Sequence, residues 1–165
     1  SKRVQLMGSG SILREVIAAA NILVEDFGIQ ADVWSCPSFN ELKRDGDDCV
    51  RWNLMHPDQK PRIPHVTACL EKHAGPVVAA TDYVKLFADQ IRAYVGRNFH
   101  VLGTDGFGRS DTRASLRRHF EVNRYYVTVA ALKTLADEGM IPAKTVKSAI
   151  RKYKLDPEKP NPLHV

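Results

Sequence analysis

Cysteine is scarce in this sequence: Cys36, Cys49 and Cys69 are three among 165 residues, odd in number and without a C-x-x-C pair. That scarcity argues against a disulfide framework or a zinc site and suits a reducing cytoplasm. Long apolar runs are missing as well. Nothing approaches the roughly 20 apolar residues that cross a bilayer, and the first apolar stretch, Val4 to Met7, is too short for the core of a signal peptide. Catalytic signatures are also absent. There is no HExxH and no G-x-S-x-G, and the six histidines (His56, His65, His73, His100, His119, His164) are scattered. Asp47, Asp48 and Asp105 lack a spaced acidic partner and read as surface or capping groups. No catalytic, cofactor-binding or metal-ligating side chain is nominated.

What is present is an ordinary globular composition, 44% hydrophobic and 26% charged, enough for one domain with a real core. The net charge of +5 raises the question of nucleic acid. Its densest cluster is Lys144, Lys147, Arg151, Lys152 and Lys154, with Val146, Ile150 and Tyr153 supplying a buried face to the same helix. No stacking aromatics interleave with these bases, so a solvated helix face is the reading and neither nucleic acid nor membrane is expected as a partner.

Periodicity organises the chain. Val4 to Met7 reads as a strand stopping at Gly8-Ser9-Gly10. A helix is predicted from Ser11 to Phe27, with Ile12, Leu13, Val16, Ile17, Ala20, Leu23, Val24 and Phe27 as its buried stripe and Arg14, Glu15, Asn21, Glu25 and Asp26 pointing away. Gly28 ends it and Ala31 to Ser35 is a second strand, which makes a βαβ unit with parallel pairing. Phe39 to Leu42 and Cys49 to Leu54 read as two short helices, followed by a proline-punctuated loop and a short helix from His65 to Lys72. Pro76 to Ala80 has the continuous apolar character of a parallel strand buried on both faces. Asp82 is expected to cap the next helix, which ends at Gly96, and Phe99 to Leu102 is the fourth strand. Helices are then predicted from Asp111 to His119, from Asn123 to Gly139 and from Ile141 onward, with Pro157, Pro160 and Pro162 in an irregular tail over 154–165. Trp34, Trp52 and Phe87 are assigned to the core. Strands alternating with helices give a three-layer α/β/α domain with a mainly parallel sheet of four to five strands.

Two glycine-rich turns follow strands and precede helices, where open α/β sheets bind ligands. Gly8-Ser9-Gly10 is not a dinucleotide fingerprint, because Leu13 stands where the third glycine belongs. The stretch Gly103 to Arg113 is the most unusual. Its three closely spaced glycines give Phe107 no local support, and Arg109 and Arg113 sit at a helix start where only Asp111 agrees with the dipole. Asp105, Phe107, Arg109 and Asp111 are therefore the candidate interface residues. A free-standing flavodoxin-like module, holding a phosphorylated small molecule at the two turns, is the alternative reading.

The stretch V-L-G-T-D-G-F-G-R-S-D-T-R (Val101 to Arg113), with R-R-H-F-E-V (Arg117 to Val122), resembles the C-terminal domain of the homodimeric bacterial pyruvate dehydrogenase component. So do V-Q-L-M-G-S-G-S-I-L-R (Val4 to Arg14), D-V-W-S-C-P-S-F-N-E-L (Asp32 to Leu42), R-W-N-L-M-H-P (Arg51 to Pro57) and T-D-Y-V-K-L-F-A-D-Q-I-R (Thr81 to Arg92). The resemblance runs from Val4 to about Pro162 and implies a transketolase C-terminal-domain-like fold over the whole 1–165 range. It also implies a larger three-domain, cytoplasmic bacterial enzyme that decarboxylates pyruvate and transfers the acetyl group to lipoamide. Thiamine diphosphate and magnesium would sit between the other two domains. This chain would supply no catalytic residue and bind no cofactor alone. Its implied partners are the other domains, the second subunit and the dihydrolipoamide acetyltransferase component. The family sheet has a fifth, antiparallel edge strand first in sequence, so that strand is expected before Ser1 and the edge left open is expected at Ala31 to Ser35.

Overall fold

The computed structural model describes residues 2–165. Four strands, β1 (Arg3–Gly8), β2 (Gln30–Ser35), β3 (Val77–Ala80) and β4 (Phe99–Leu102), form one sheet in the order β2-β1-β3-β4, with every pairing parallel. β3 is buried at all four positions, as its continuous apolar run requires. β2 is an edge strand and alternates between half-buried and exposed positions.

Two helical layers cover the sheet. On one face, α1 (Leu13–Phe27), α7 (Arg124–Asp137) and α8 (Ala143–Lys152) pack over Val4, Leu6, Val78, Ala80 and Leu102. On the other, α2 (Phe39–Met55), α3 (His65–Leu70), α4 (Lys85–Asp89) and α5 (Arg92–Val95) pack over Met7, Val77, Ala79, Phe99 and Val101. Odd and even strand residues thus feed opposite cores, which is the period-2 geometry of a strand. The three-layer α/β/α arrangement is the one the alternation of elements implied.

Five local expectations need correction. Phe39 to Leu54 is one helix, α2, rather than two. Gly46 lies in its middle, and the ring of Tyr94 packs where a Cβ would be, about 2.3 Å from that position. That packing offsets the ~1 kcal/mol that glycine costs a helix. Asp82 does not cap the helix after β3: Val84 precedes α4 without a side-chain cap, and the helical run is split into α4 and α5. The stripe of α1 is also narrower than its sequence suggests. Ile17 and Val24 are exposed, whereas Glu15, expected to point outward, is only 6% accessible. Phe87 is 40% exposed and Trp34 and Trp52 are half-buried, so none of these three lies in the fully buried core. The helix expected from Asp111 begins at Arg113 as α6 (Arg113–His119), capped by the Thr112 hydroxyl.

Candidate functional site

Strand order reverses between β1 and β3, and there the C-terminal strand ends open a crevice. One wall is Gly8-Ser9-Gly10. Gly8 is needed because a Cβ would meet Leu13 Cα at 3.0 Å. The Ser9 hydroxyl donates to Thr81 Oγ1 over 2.9 Å, tying the two strand exits together. The Asp82 carboxylate lies against Gly10, its oxygens 3.0 Å from the position a Cβ would take, and accepts a long 3.4 Å bond from the Ser11 hydroxyl. An acidic group thus already stands at the turn. A phosphate or diphosphate would have to approach that carboxylate, so the turn does not fit the phosphate-holding role of the flavodoxin-like alternative.

The other wall is the loop from β4 to α6. Thr104 is bound twice, its N–H donating to Tyr83 O over 2.9 Å and its hydroxyl to Asp82 O over 2.8 Å. Asp105 Oδ1 accepts from the Lys85 N–H over 2.7 Å, so this carboxylate supplies the first turn of α4 with the cap that Asp82 was expected to give. Gly106, at φ +126°, carries the chain past the Pro162 carbonyl, 2.4 Å from where its Cβ would lie. No residue but glycine suits that combination. Beyond it the chain is released: Phe107 is 74% exposed, and Gly108, Arg109 and Ser110 are exposed too. Asp111 Oδ1 then accepts from the Thr112 N–H, and Thr112 caps α6. Of the four nominated residues, Asp105 and Asp111 therefore build the loop, while Phe107 and Arg109 are presented by it.

The segment that Thr104 and Asp105 bind carries further exposed apolar side chains that the sequence did not nominate. Tyr83, Val84, Leu86 and Phe87 are all exposed, and the Tyr83 and Phe87 rings pack 5.3 Å apart. A groove of about 430 Å³, lined by Ser11, Asp82, Arg109, Arg113, Arg117 and Phe120 among others, separates the two walls.

Sequence reasoning also missed the group that holds this region in place. Glu15 is buried beneath α6 and α7, where Arg117 Nη1 donates to Oε1 over 3.0 Å and Arg124 donates from its backbone N–H and Nε to Oε2. Burial raises the Glu15 pKa, but the Arg124 hydrogen bonds and the charges of Arg124 and Arg117 more than reverse this, leaving it below the usual carboxylate value. Among the described residues no group of three or more His, Cys, Asp or Glu side chains could hold a metal ion. None of their helices is long and apolar enough to cross a membrane.

Comparison with known proteins gives this geometry its family. Residues 1–123 match the model of the transketolase-like TK C-terminal domain. The chain is similar to the pyruvate dehydrogenase E1 component of Cupriavidus necator, 61% identical over 163 residues that make up 99% of this chain and 18% of that protein. The E1 components of Pseudomonas aeruginosa and of Escherichia coli strain K12 are 60% and 55% identical over 161 residues, each 97% of this chain and 18% of the relative. The chain thus spans less than a fifth of the length of the curated relatives it matches. It belongs to the transketolase-like C-terminal-domain family.

Proposed function

We propose that this chain is the C-terminal domain of a bacterial pyruvate dehydrogenase E1 component and serves it as a non-catalytic, dimer-closing part. The observation that carries this reading is the 61% identity to such a component over 99% of the chain. The parent enzyme would decarboxylate pyruvate and pass the acetyl group to lipoamide on the dihydrolipoamide acetyltransferase component. Thiamine diphosphate, held with magnesium by the other domains, would supply the carbanion stabilisation. The residues here do not fit that cofactor, because Asp82 stands at the phosphate-like turn. Their part is mechanical: Asp105, Gly106 and Asp111 shape a loop that offers Phe107 and Arg109 to a neighbouring surface.

The test pairs two proteins. The full-length protein carrying this chain is expected to decarboxylate pyruvate in the presence of thiamine diphosphate and magnesium. The 165-residue chain alone is expected to do neither that nor bind the cofactor by calorimetry. A micromolar, magnesium-dependent site on the chain alone would overturn the non-catalytic reading, and a full-length protein inert toward pyruvate would overturn the enzyme assignment.

A further inference from the structure

At the β2 edge of the sheet, between α2, α3 and the exit of β2, lies a mostly apolar pocket of about 390 Å³. Two of the three cysteines line it, Cys36 and Cys69, together with His65. Neither is in a disulfide, and the Cys36 thiol makes only a long 4.0 Å bond to Trp34 O. They differ in setting. Cys36, directly after β2, is buried, and its backbone N–H is bound to Gly8 O at 2.9 Å. Cys69, on α3, is partly exposed, and its Sγ lies 3.4 Å from Nε2 of His65 one helical turn earlier.

We propose that Cys69 and Cys36 form a peroxide-sensitive dithiol site, with Cys69 as the attacking thiol and Cys36 as the resolving one. The contrast in setting fixes the order. A hydroperoxide reaches the partly exposed Cys69 sulfur before the enclosed Cys36 sulfur. Burial, with a smaller contribution from Cys69, pushes the Cys36 thiol up to about 11, so it stays protonated while Cys69 reacts. In the first step the Cys69 thiolate attacks one oxygen of a hydroperoxide. An S–O bond forms, the O–O bond breaks, and the departing alkoxide or hydroxide takes up a proton, leaving Cys69 as a sulfenic acid. In the second step Cys36 gives up its proton to the departing hydroxide as its sulfur attacks the Cys69 sulfur. The S–S bond forms, the S–O bond breaks, and the thiol proton leaves with the hydroxide as water. Two thiols lose two electrons to one peroxide, and a dithiol reductant reverses the change. The bond would join the exit of β2 to α3 and close the pocket.

The third cysteine is an internal control. Cys49 is buried in α2 and is not among the residues that line this pocket. The full-length protein is treated with graded hydrogen peroxide, blocked with N-ethylmaleimide and mapped by mass spectrometry of its peptides. The expected product is a Cys36–Cys69-linked peptide that disappears on reduction, with Cys69 oxidised about ten-fold or more faster than Cys49, as its exposure and imidazole neighbour imply. In Cys36→Ala the Cys69 sulfenic acid should persist long enough to be trapped by dimedone, whereas in Cys69→Ser Cys36 should stay reduced. His65→Ala, a change at an exposed position, should slow the first step without abolishing the link. Cys69 unmodified at peroxide levels that oxidise free cysteine would overturn the proposal. So would Cys69 passing to the sulfinic acid without any link to Cys36, or Cys36 reacting as fast when Cys69 is absent.

Discussion

Arg124 reaches Glu15 by two routes, its backbone N–H donating to Oε2 over 2.8 Å and its Nε donating to the same oxygen over 3.1 Å. Arg117 takes the other oxygen, so one carboxylate on α1 fastens α6 and the start of α7. The arrangement satisfies the carboxylate fully, which is what makes a buried acid tolerable. Glu15→Gln would keep the shape and leave two guanidinium groups facing a neutral amide. Charged hydrogen bonds contribute about 1.5–3 kcal/mol each, but Arg124 is nearly half open to water and its share is screened. A net loss of about 2 kcal/mol is expected, roughly a 4–8 °C fall in Tm for a chain of this size. Because the Glu15 pKa is depressed on folding, its contribution is complete above the unfolded value near ~4.3 and fades as pH falls through the folded one. Thermal melts of both proteins should therefore differ at pH 7 and converge in acid. A gap that persists undiminished in acid would show that packing, not charge, is responsible.

β3 was legible because burial on both faces writes a continuous apolar run, and the short turns limited the topologies. Glu15 was not legible. Its helical position lies one step from Val16, and a helical pattern cannot tell an acid facing solvent from one facing two arginines more than a hundred residues away. Gly46 was silent for a related reason. A glycine that accepts a ring from α5 and a glycine that ends a helix look alike until the ring is in place. The β4–α6 loop was legible only as an excess of glycine and charge; the division into Asp105 and Asp111 as builders and Phe107 and Arg109 as presented groups needed coordinates.

Gly46→Ala puts two effects of opposite sign against each other. Alanine raises helix propensity by about 1 kcal/mol, but its Cβ would overlap the Tyr94 ring, whose hydroxyl is held by Asp47. That same bond, with burial and the Asp47 charge, pushes the Tyr94 phenol up to about 12, so it remains a donor throughout the neutral range. With the ring pinned, overpacking of about 1–3 kcal/mol should win. Urea denaturation is expected to show a lower midpoint for Gly46→Ala, and a higher midpoint would mean the ring moves aside freely.

Phe107 offers a sharper contrast. A core phenylalanine truncated to alanine costs about 3–5 kcal/mol, yet this one is 74% exposed. Phe107→Ala should change the stability of the isolated chain by less than ~0.5 kcal/mol, the usual range for surface positions. A loss of several kcal/mol in a denaturant titration would return Phe107 to the core.

The free side of β2 carries unpaired N–H and C=O groups beside the exposed Val33. Edges of this kind recruit other strands unless blunted by charge. The isolated chain is expected to self-associate at high concentration, and Val33→Lys to suppress this. Equal light scattering from the two proteins would show that the edge is silent.

The most direct measurement concerns assembly of the full-length protein. Arg109→Ala combined with Phe107→Ala removes two exposed side chains of the proposed contact and no catalytic group. Sedimentation equilibrium and pyruvate decarboxylation should be followed together as subunit concentration is varied. We expect the double variant to dissociate at concentrations where the parent stays dimeric, with activity falling in step and returning toward the parental kcat at high concentration. A variant that remains fully dimeric yet loses activity would place this chain in the chemistry itself and contradict the structural role assigned to it.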